Sequence, residues 1–239
     1  MPDHRRHRGP HPDDQTLFAE CQLPALRDAT TDLSWLLSKE YALKSSLKLV
    51  GDRYALDGRQ RTAVSRCACT DLERQQRNDS QLDPRELSGA TLWIDGYNVL
   101  TSIEAALSGG VILKGRDGCF RDMASMHGSY RKVSETIPAL EMLGEVLTEM
   151  KVAHCRWLFD QPVSNSGRLK TLLAEMAEER GWDWEIELVS DPDPLLASSP
   201  EIVATADSEI LNQADRWFDL ARTCIAGRIP AAWVIDLSD

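Results

Sequence analysis

The stretch Thr91-Leu-Trp-Ile-Asp-Gly-Tyr-Asn-Val99 begins with a short apolar run that stops at an acidic residue, Asp95. Two later apolar runs also end in an aspartate, at Asp160 and at Asp207. Short apolar runs that alternate with helical patterns are typical of a parallel sheet. The sequence therefore predicts an α/β fold with a central parallel sheet flanked by helices.

Helical patterns lie between these runs. Thr136 is suited to begin one helix, and residues 166–181 read as a second helix that stops at its final glycine. Residues 184–189 have the pattern of a strand, and residues 190–200 are predicted to be a loop. The apolar residues 232–235 near the end of the chain fit an extra strand.

The three aspartates that end the apolar runs are candidate metal ligands. Because the carboxyl ends of parallel strands form one edge of a sheet, we expect Asp95, Asp160 and Asp207 to lie close together. Three neighbouring carboxylates repel one another unless a divalent cation lies among them, and their oxygen atoms suit Mg²⁺ or Mn²⁺. Such a site can activate water and stabilise a phosphoryl transition state. The alternative is that each aspartate is only a helix N-cap, the commoner role for a single aspartate between a strand and a helix.

The composition is that of an ordinary globular protein, with 239 residues, 42% hydrophobic and 27% charged. The six cysteines have no zinc-binding spacing, and no apolar run is long enough for a membrane helix. We therefore expect a cytoplasmic protein with no membrane partner, either a monomer or an oligomer. The net charge of −11 argues against a protein that coats duplex DNA.

The chain is predicted to divide into four segments. Residues 1–22 have few apolar positions and are predicted to be a disordered tail. Residues 23–77 have the pattern of a small all-α domain of three helices, compatible with a helix-turn-helix, with Asp57 as the N-cap of the third. Residues 78–89 are rich in turn-forming residues and read as a linker, and the α/β domain occupies residues 90–239.

The last helix of the small domain carries several arginines. They could face phosphates as a recognition helix does, although a solvated face on a packing module is the favoured interpretation. These residues are Arg59, Arg61, Arg66, Arg74 and Arg77.

Two motifs resemble those of a known nuclease family. Ile94-Asp-Gly-Tyr-Asn-Val99 resembles the opening strand of the NYN branch of the PIN-like nuclease superfamily, and Ala204-Thr-Ala-Asp-Ser208 resembles its late Thr/Ser-x-Asp motif. The resemblance covers roughly residues 88 to 222. It implies a Rossmann-like fold and a ribonuclease that acts on single-stranded or structured RNA, with Mg²⁺ or Mn²⁺ held by the three catalytic aspartates. It also implies that Asn98 orients the first carboxylate or the substrate and that Ser208 assists the last aspartate.

The chain departs from that family where a fourth acid is expected. Asp117 and Asp122 are candidates for this acid, with Arg116 and Arg121 as phosphate contacts. His127 is a candidate proton shuttle. The alternative is that Asp117 and the following glycine form a hairpin turn and that Arg121 pairs with a neighbouring acid.

A further candidate anion site follows the apolar run that ends at Asp160. Ser164, Asn165 and Arg168 lie where a helix N-terminus would face the same crevice and could hold a phosphate. The alternative is plain capping by Ser164 or Ser166. The whole chain also resembles an uncharacterised prokaryotic family whose N-terminal helical part is the domain of unknown function numbered 434. Leu49-Val-Gly-Asp-Arg-Tyr54 and Arg59-Gln-Arg61 carry this resemblance, which implies an architecture and no activity.

Two other functions compete with the nuclease hypothesis. The same fold could be a non-catalytic module that binds RNA or nucleotides, or an Mg²⁺-dependent phosphohydrolase of small substrates. The chain contains no Walker lysine loop and no GxGxxG motif, so the sequence does not favour an NTPase or a dinucleotide enzyme.

Overall fold

The computed structural model describes residues 7–124 and 130–238, which contain eleven α-helices and eight strands. The helices are α1 (Asp14–Leu17), α2 (Leu23–Ser38), α3 (Leu43–Arg53), α4 (Gly58–Cys67), α5 (Asp71–Ser80), α6 (Gly96–Leu107), α7 (Thr136–Glu149), α8 (Ser166–Arg180), α9 (Asp193–Ala197), α10 (Ser208–Leu211) and α11 (Leu220–Arg228). The strands are β1 (Thr91–Asp95), β2 (Val111–Lys114), β3 (Phe120–Asp122), β4 (His154–Asp160), β5 (Trp184–Val189), β6 (Ile202–Ala204), β7 (Trp217–Phe218) and β8 (Trp233–Asp236). Within the described ranges, no helix has both the length and the apolar character needed to cross a membrane.

Five parallel strands form the central sheet in the order β5-β4-β1-β6-β7. Ile94 of β1 lies between Trp157 of β4 and Ala204 of β6. The chain builds outward from β1 through β4 and β5 and then returns to the other side of β1, so the strand order reverses between β1 and β6. The predicted α/β fold with a central parallel sheet flanked by helices is confirmed.

The sheet is covered on both faces. Along β4, Trp157 and Phe159 contribute to one core and Leu158 to another, as the two-residue period of a strand requires. The first core lies beneath α6, α7, α8 and α11, and the second includes Leu196 of α9 and Ile210 of α10.

Local sequence signals explain most of the element boundaries. The helices predicted from Thr136 and over residues 166–181 are present, and Gly181 ends the second in the left-handed conformation at φ 68°. The loop predicted for residues 190–200 instead contains the short helix α9. Pro194 in its first turn favours that helix, because proline is pre-shaped for this position.

A second, three-stranded sheet joins the two parts of the chain. Strands β2 and β3 form an antiparallel hairpin, and β8 pairs with β2 in parallel, which confirms the strand expected in residues 232–235. Leu113 of β2 and Ile235 of β8 share one hydrophobic core with Leu26 and Val64 of the helical part. The helical part therefore packs directly on the α/β part.

The helical part contains four main helices, where the sequence predicted three. Asp57 caps α4 with a capping box, as expected. A second capping box between Thr70 and Glu73 begins α5, which extends into the predicted linker. The remainder of that linker includes a 3₁₀ turn at Pro84–Leu87.

Residues 7–22 are ordered on the surface of both parts, in contrast to the tail predicted for residues 1–22; residues 1–6 lie outside the described ranges. Asp14 is fully buried and forms an ion pair with Arg59. Arg8 forms an ion pair with the buried Glu104 of α6. The composition argument failed here because these polar groups find charged partners far along the chain, so little apolar surface is needed to hold the segment.

Removing the guanidinium that neutralises Glu104 tests this packing. Glu104 retains the hydroxyl groups of Tyr130 at 2.6 Å and Thr136 at 2.5 Å as donors. We therefore expect Arg8→Met to lower the free energy of unfolding by about 2 kcal/mol, less than the loss of a fully buried pair. Urea unfolding measures this change. The control Arg85→Met removes an ion pair whose arginine is 96% exposed, so equal midpoints for the two variants would contradict the packing.

Candidate functional site

Asp95 ends β1 at the centre of the sheet and begins α6. Its buried side chain accepts a hydrogen bond from the backbone N–H of Asn98 at 3.4 Å, so it acts as the N-cap. Gly96 follows, and a Cβ atom there would lie 2.3 Å from the ring of Phe159. Only glycine fits this close approach to β4, which explains the Asp-Gly pair.

Thr205 connects Asp95 to the loop that carries Asp207. Its hydroxyl donates to Asp95 Oδ2 at 2.8 Å and accepts from the backbone N–H of Asp207 at 3.0 Å. The side-chain oxygen of Asn98 accepts from the backbone N–H of Ala206 at 2.9 Å. Asn98 therefore holds this loop with its side-chain oxygen, while its contact with Asp95 is made by its backbone. The sequence analysis missed the role of Thr205, although its motif contains the residue.

Asp207 follows β6 and caps α10. Its Oδ1 accepts from the backbone N–H groups of Glu209 at 2.8 Å and Ile210 at 3.4 Å. Asp160 ends β4, on the other side of β1, and it does not occupy the N-cap position of α8, which is Asn165. The N-cap interpretation thus describes one contact of Asp95 and both side-chain contacts of Asp207, and it does not describe Asp160.

Two more carboxyl groups face this edge of the sheet and were missed by the sequence analysis. Asp193 begins α9, just after β5, and its carboxyl interacts electrostatically with Asp207, Asp191 and Asp160. The available signal was the pair Asp191-Pro-Asp193 in the segment after a predicted strand. Because this pair follows a predicted strand, the rules of parallel sheets place both aspartates at the carboxyl edge of the sheet.

Burial and mutual repulsion make these carboxyl groups hard to ionise. Burial raises the pKa of Asp95 to about 7, and the charges of Asp207 and Asp193 raise it too, against the hydrogen bond from Thr205. Burial and then Asp207 raise the pKa of Asp193 to about 6. The pKa of Asp160 is also raised, first by burial and then by Asp191. A nearby cation would relieve this excess of negative charge.

The residues present fit a magnesium-like ion only in part. Within residues 7–124 and 130–238, no three His, Cys, Asp or Glu side chains are arranged as a group that could hold a metal ion. The donors that meet at the edge are nonetheless carboxylate oxygens, the ligands preferred by Mg²⁺ and Mn²⁺. Mg²⁺ usually takes only one or two carboxylates and completes its shell with water and substrate phosphates. A pair such as Asp95 and Asp207 fits that pattern.

Asp117 and Arg121 form a buried structural network. Arg121 donates to both carboxylate oxygens of Asp117, at 2.9 and 2.6 Å, and Arg77 of α5 donates to Asp117 at 2.5 Å. Burial opposes ionisation of Asp117, but the two guanidinium groups outweigh it and hold its pKa well below the usual range. Gly118 is in the left-handed conformation, and Gly115 accepts from its N–H, so the predicted hairpin turn is present. These contacts correct the candidacy of Asp117 as a catalytic acid and of Arg121 as a phosphate contact.

This network also holds the loop that carries Asp207. Arg121 Nε donates to the carbonyl of Ala206 at 2.8 Å, and Arg77 donates to the carbonyl of Ser208 at 3.3 Å. The Ser208 hydroxyl lies 3.5 Å from Arg121 Nη2 and accepts from it, so its recorded side-chain contact is with this arginine and not with Asp207.

Asp122 and Arg116 also have structural roles, contrary to their candidacy. Asp122 accepts from the hydroxyl of Ser102 at 2.9 Å and from the backbone N–H of Ala124 at 2.6 Å. Arg116 pairs with Asp71 at the start of α5. His127, the candidate proton shuttle, lies outside the described residues.

The candidate anion site lies before α8. Tyr130 donates its N–H to the carbonyl of Ser164 at 3.0 Å, and the Asn165 amide donates to the carbonyl of Tyr130 at 2.9 Å. Asn165 adopts the left-handed conformation at φ 70° and makes no side-chain cap hydrogen bond. Arg168 is exposed in the first turn of α8. Ser164 and Arg168 thus remain accessible beside Asp160.

The arginines of the helical part are largely occupied by contacts within the chain. Arg59 pairs with Asp14, Arg61 with Asp52, and Arg77 is buried in the network described above. The ion pairs of Arg59 and Arg61 agree with a packing module, whereas Arg77 is buried and does not belong to a solvated helix face.

Comparison with known proteins supports the same two-part layout. Residues 25–79 match the family described as Protein of unknown function (DUF434). The chain is 28% identical over 187 residues to the Uncharacterized protein MJ0935 of Methanocaldococcus jannaschii. The matched region covers 78% of this chain and 89% of that protein. No solved structure matches the chain. The family described as Domain of unknown function (DUF5616) matches residues 84–223, more than half of the sequence, and the chain belongs to this family.

Proposed function

We propose that this protein is a metal-dependent ribonuclease that hydrolyses RNA phosphodiester bonds at the carboxyl edge of the central sheet. The observation that carries the proposal is the placement of Asp160, Asp95 and Asp207 at the ends of β4, β1 and β6. These are three neighbouring strands at the point where the strand order reverses. Ligands of open parallel sheets bind at that point. The resemblance of Ile94–Val99 to the opening strand of NYN-type PIN-like nucleases agrees with this proposal.

Asp95 and Asp207 are the proposed pair of metal ligands, and Asp160 at the end of the adjacent strand is proposed to join them only when a cation and substrate are bound. When bound, Mg²⁺ or Mn²⁺ would lower the pKa of water and stabilise charge on the phosphate. Thr205 keeps the first two carboxylates in a fixed relation, because one hydroxyl contacts the Asp95 carboxylate and the Asp207 backbone. Asn98 prevents the loop from moving away from α6.

A row of exposed basic side chains beside Asp160 is the proposed path for the RNA backbone. Arg168 lies near the N-terminus of α8, and the exposed Arg131 and Lys132 follow Tyr130, whose backbone is hydrogen-bonded to residues 164 and 165 just before that helix. Phosphates bind well to exposed cations and to helix N-termini. Ser164 and Asn165 lie within this path as further polar contacts.

The proposal is tested by incubating the protein with labelled single-stranded RNA, structured RNA and single-stranded DNA. Each substrate is tested with Mn²⁺, with Mg²⁺ and with EDTA. We expect cleavage of RNA only with a cation, and a loss of about 100-fold in Asp207→Asn, the effect of removing several kcal/mol of transition-state stabilisation. Asp215→Asn, the same change at an exposed aspartate, is the control and is expected to retain full activity. Cleavage that persists in Asp207→Asn would contradict the proposal.

A non-catalytic module that binds RNA or nucleotides is the second candidate. It is favoured by two observations: no preformed metal-binding group exists among the described residues, and Asp95 and Asp207 both cap helices. RNA binding in EDTA without cleavage under any cation would support this candidate over the nuclease.

A further inference from the structure

The helical part exposes three large apolar side chains at one end. Trp35 is 60% exposed near the end of α2, Tyr41 is 58% exposed in the turn that follows, and Leu72 is 77% exposed at the start of α5. The Ser38 hydroxyl accepts from the backbone N–H of Asp71 at 3.2 Å, so the end of α2 adjoins the start of α5. We call Trp35, Tyr41 and Leu72 the aromatic end.

Two lysines without ion pairs among the described residues lie close to Tyr41 in the aromatic end. Lys39 and Lys44 are exposed, and neither forms an ion pair within the ranges that the structure describes. Lys48, on the following turn of α3, is bonded to Asp52 at 2.7 Å, and the exposed Glu40 is the acidic residue of the turn. The aromatic end therefore combines flat apolar surfaces with two lysines that form no ion pair in the described part of the chain, next to the exposed Glu40 and to Asp71, whose charge is paired with Arg116.

This combination fits a single-stranded nucleic acid better than a second copy of the chain. Exposed aromatic rings stack on bases, and exposed lysines bind the phosphates between them. In a two-fold contact between copies, Lys39 and Lys44 would face the same charges of the other subunit, which is unfavourable. An apolar protein partner would leave these two lysines without a counter-charge.

The aromatic end is also connected to the candidate site through one helix. Leu72 and Arg77 both belong to α5 and are separated by roughly 8 Å along the helix axis. Arg77 contacts the carbonyl of Ser208, next to Asp207. A strand of a few nucleotides could therefore reach from the aromatic end toward the carboxyl edge of the sheet.

We propose that the aromatic end is a binding surface for single-stranded RNA, on which Trp35 and Tyr41 stack with bases and Lys39 and Lys44 contact phosphates. This inference rests on the proposed function in taking RNA as the ligand. It gives the helical part a role that does not depend on its ion-paired arginines.

The test is fluorescence anisotropy of a short fluorescein-labelled oligouridylate with the full chain in EDTA, where no metal-dependent cleavage occurs. Trp35→Ala and Tyr41→Ala are each expected to raise the Kd about 10-fold, because each removes one stacking contact. Trp35→Phe keeps a ring and is expected to bind nearly as the wild type does. The double variant Lys39→Glu, Lys44→Glu is expected to weaken binding and reduce its salt dependence. The control Lys151→Glu changes an exposed lysine in the turn before β4, outside the aromatic end, and is expected to leave the Kd unchanged.

The outcomes separate this proposal from the nuclease proposal. Binding that depends on Trp35 and Tyr41, together with no cleavage under any cation, would support the aromatic end and contradict only the nuclease. An unchanged Kd in both alanine variants would overturn the aromatic end whether or not RNA is cleaved. Binding of the wild type to phosphatidylserine vesicles but not to the oligouridylate would also overturn it.

Discussion

An Asp95→Asn variant is expected to be more stable than the wild type in cation-free buffer and yet to lose the proposed activity. Burial and the charge of Asp207 raise the pKa of Asp95 to about 7, so the folded protein binds this proton more tightly than the unfolded chain. The wild type therefore loses stability as the pH rises from the ordinary aspartate value through about 7. Above that range the penalty is about 2 to 4 kcal/mol. Asparagine avoids it, because it caps helices as well as aspartate and can accept from Thr205.

Thermal unfolding at about pH 8 and about pH 5 measures the difference in stability between Asp95→Asn and the wild type. This difference is expected to be large at the higher pH and small at the lower. Mn²⁺ is expected to raise the unfolding temperature of the wild type and not that of Asp95→Asn, because a cation that binds the folded state stabilises it. Asp215→Asn is the control for the chemical change. A destabilised Asp95→Asn at the higher pH would show that the carboxylate is stabilised in the folded protein and would contradict the charge repulsion inferred at this edge.

The carboxyl edge could be predicted from the sequence because its signals are local. Each apolar run that ends in an aspartate marks a strand end, and the rules of parallel sheets then bring Asp95, Asp160 and Asp207 to one edge. The caps at Asp57 and Gly181 are equally local, since they depend on residues within one helical turn. Signals of this kind lie within a short window of sequence.

The partners of buried charges could not be predicted in this way. Arg77 looks like an exposed side chain on a polar helix, but it is 1% exposed because Asp117 and Asn212, far along the chain, both accept from it. The burial of Asp14 depends in the same way on Arg59. Neither composition nor periodicity identifies such pairs, because only the assembled core determines which charged groups meet.

An Asp117→Asn variant is expected to lose about 3 to 5 kcal/mol of stability, because it removes the buried counter-charge of Arg121 and leaves Arg77 only the partly exposed Glu73, at 3.8 Å. The side chain of Asp117 is fully buried, and those of Arg77 and Arg121 are 1% and 9% exposed. Since the two arginines hold the pKa of Asp117 low, the contribution of this carboxylate is present above the ordinary aspartate pKa and is lost only in acid. Chemical denaturation near neutral pH measures the whole effect.

Asp71→Asn is the matched control, because it makes the same change in the 76% exposed partner of Arg116 and is expected to cost about 1 kcal/mol or less. Hydrogen exchange provides a second measurement. Arg121 and Arg77 contact the carbonyls of Ala206 and Ser208, so the amides of the loop that carries Asp207 are expected to exchange faster in Asp117→Asn than in Asp71→Asn. Equal denaturation midpoints in the two variants would contradict the network as a source of stability. Unchanged exchange in a destabilised Asp117→Asn would contradict its role in positioning the loop.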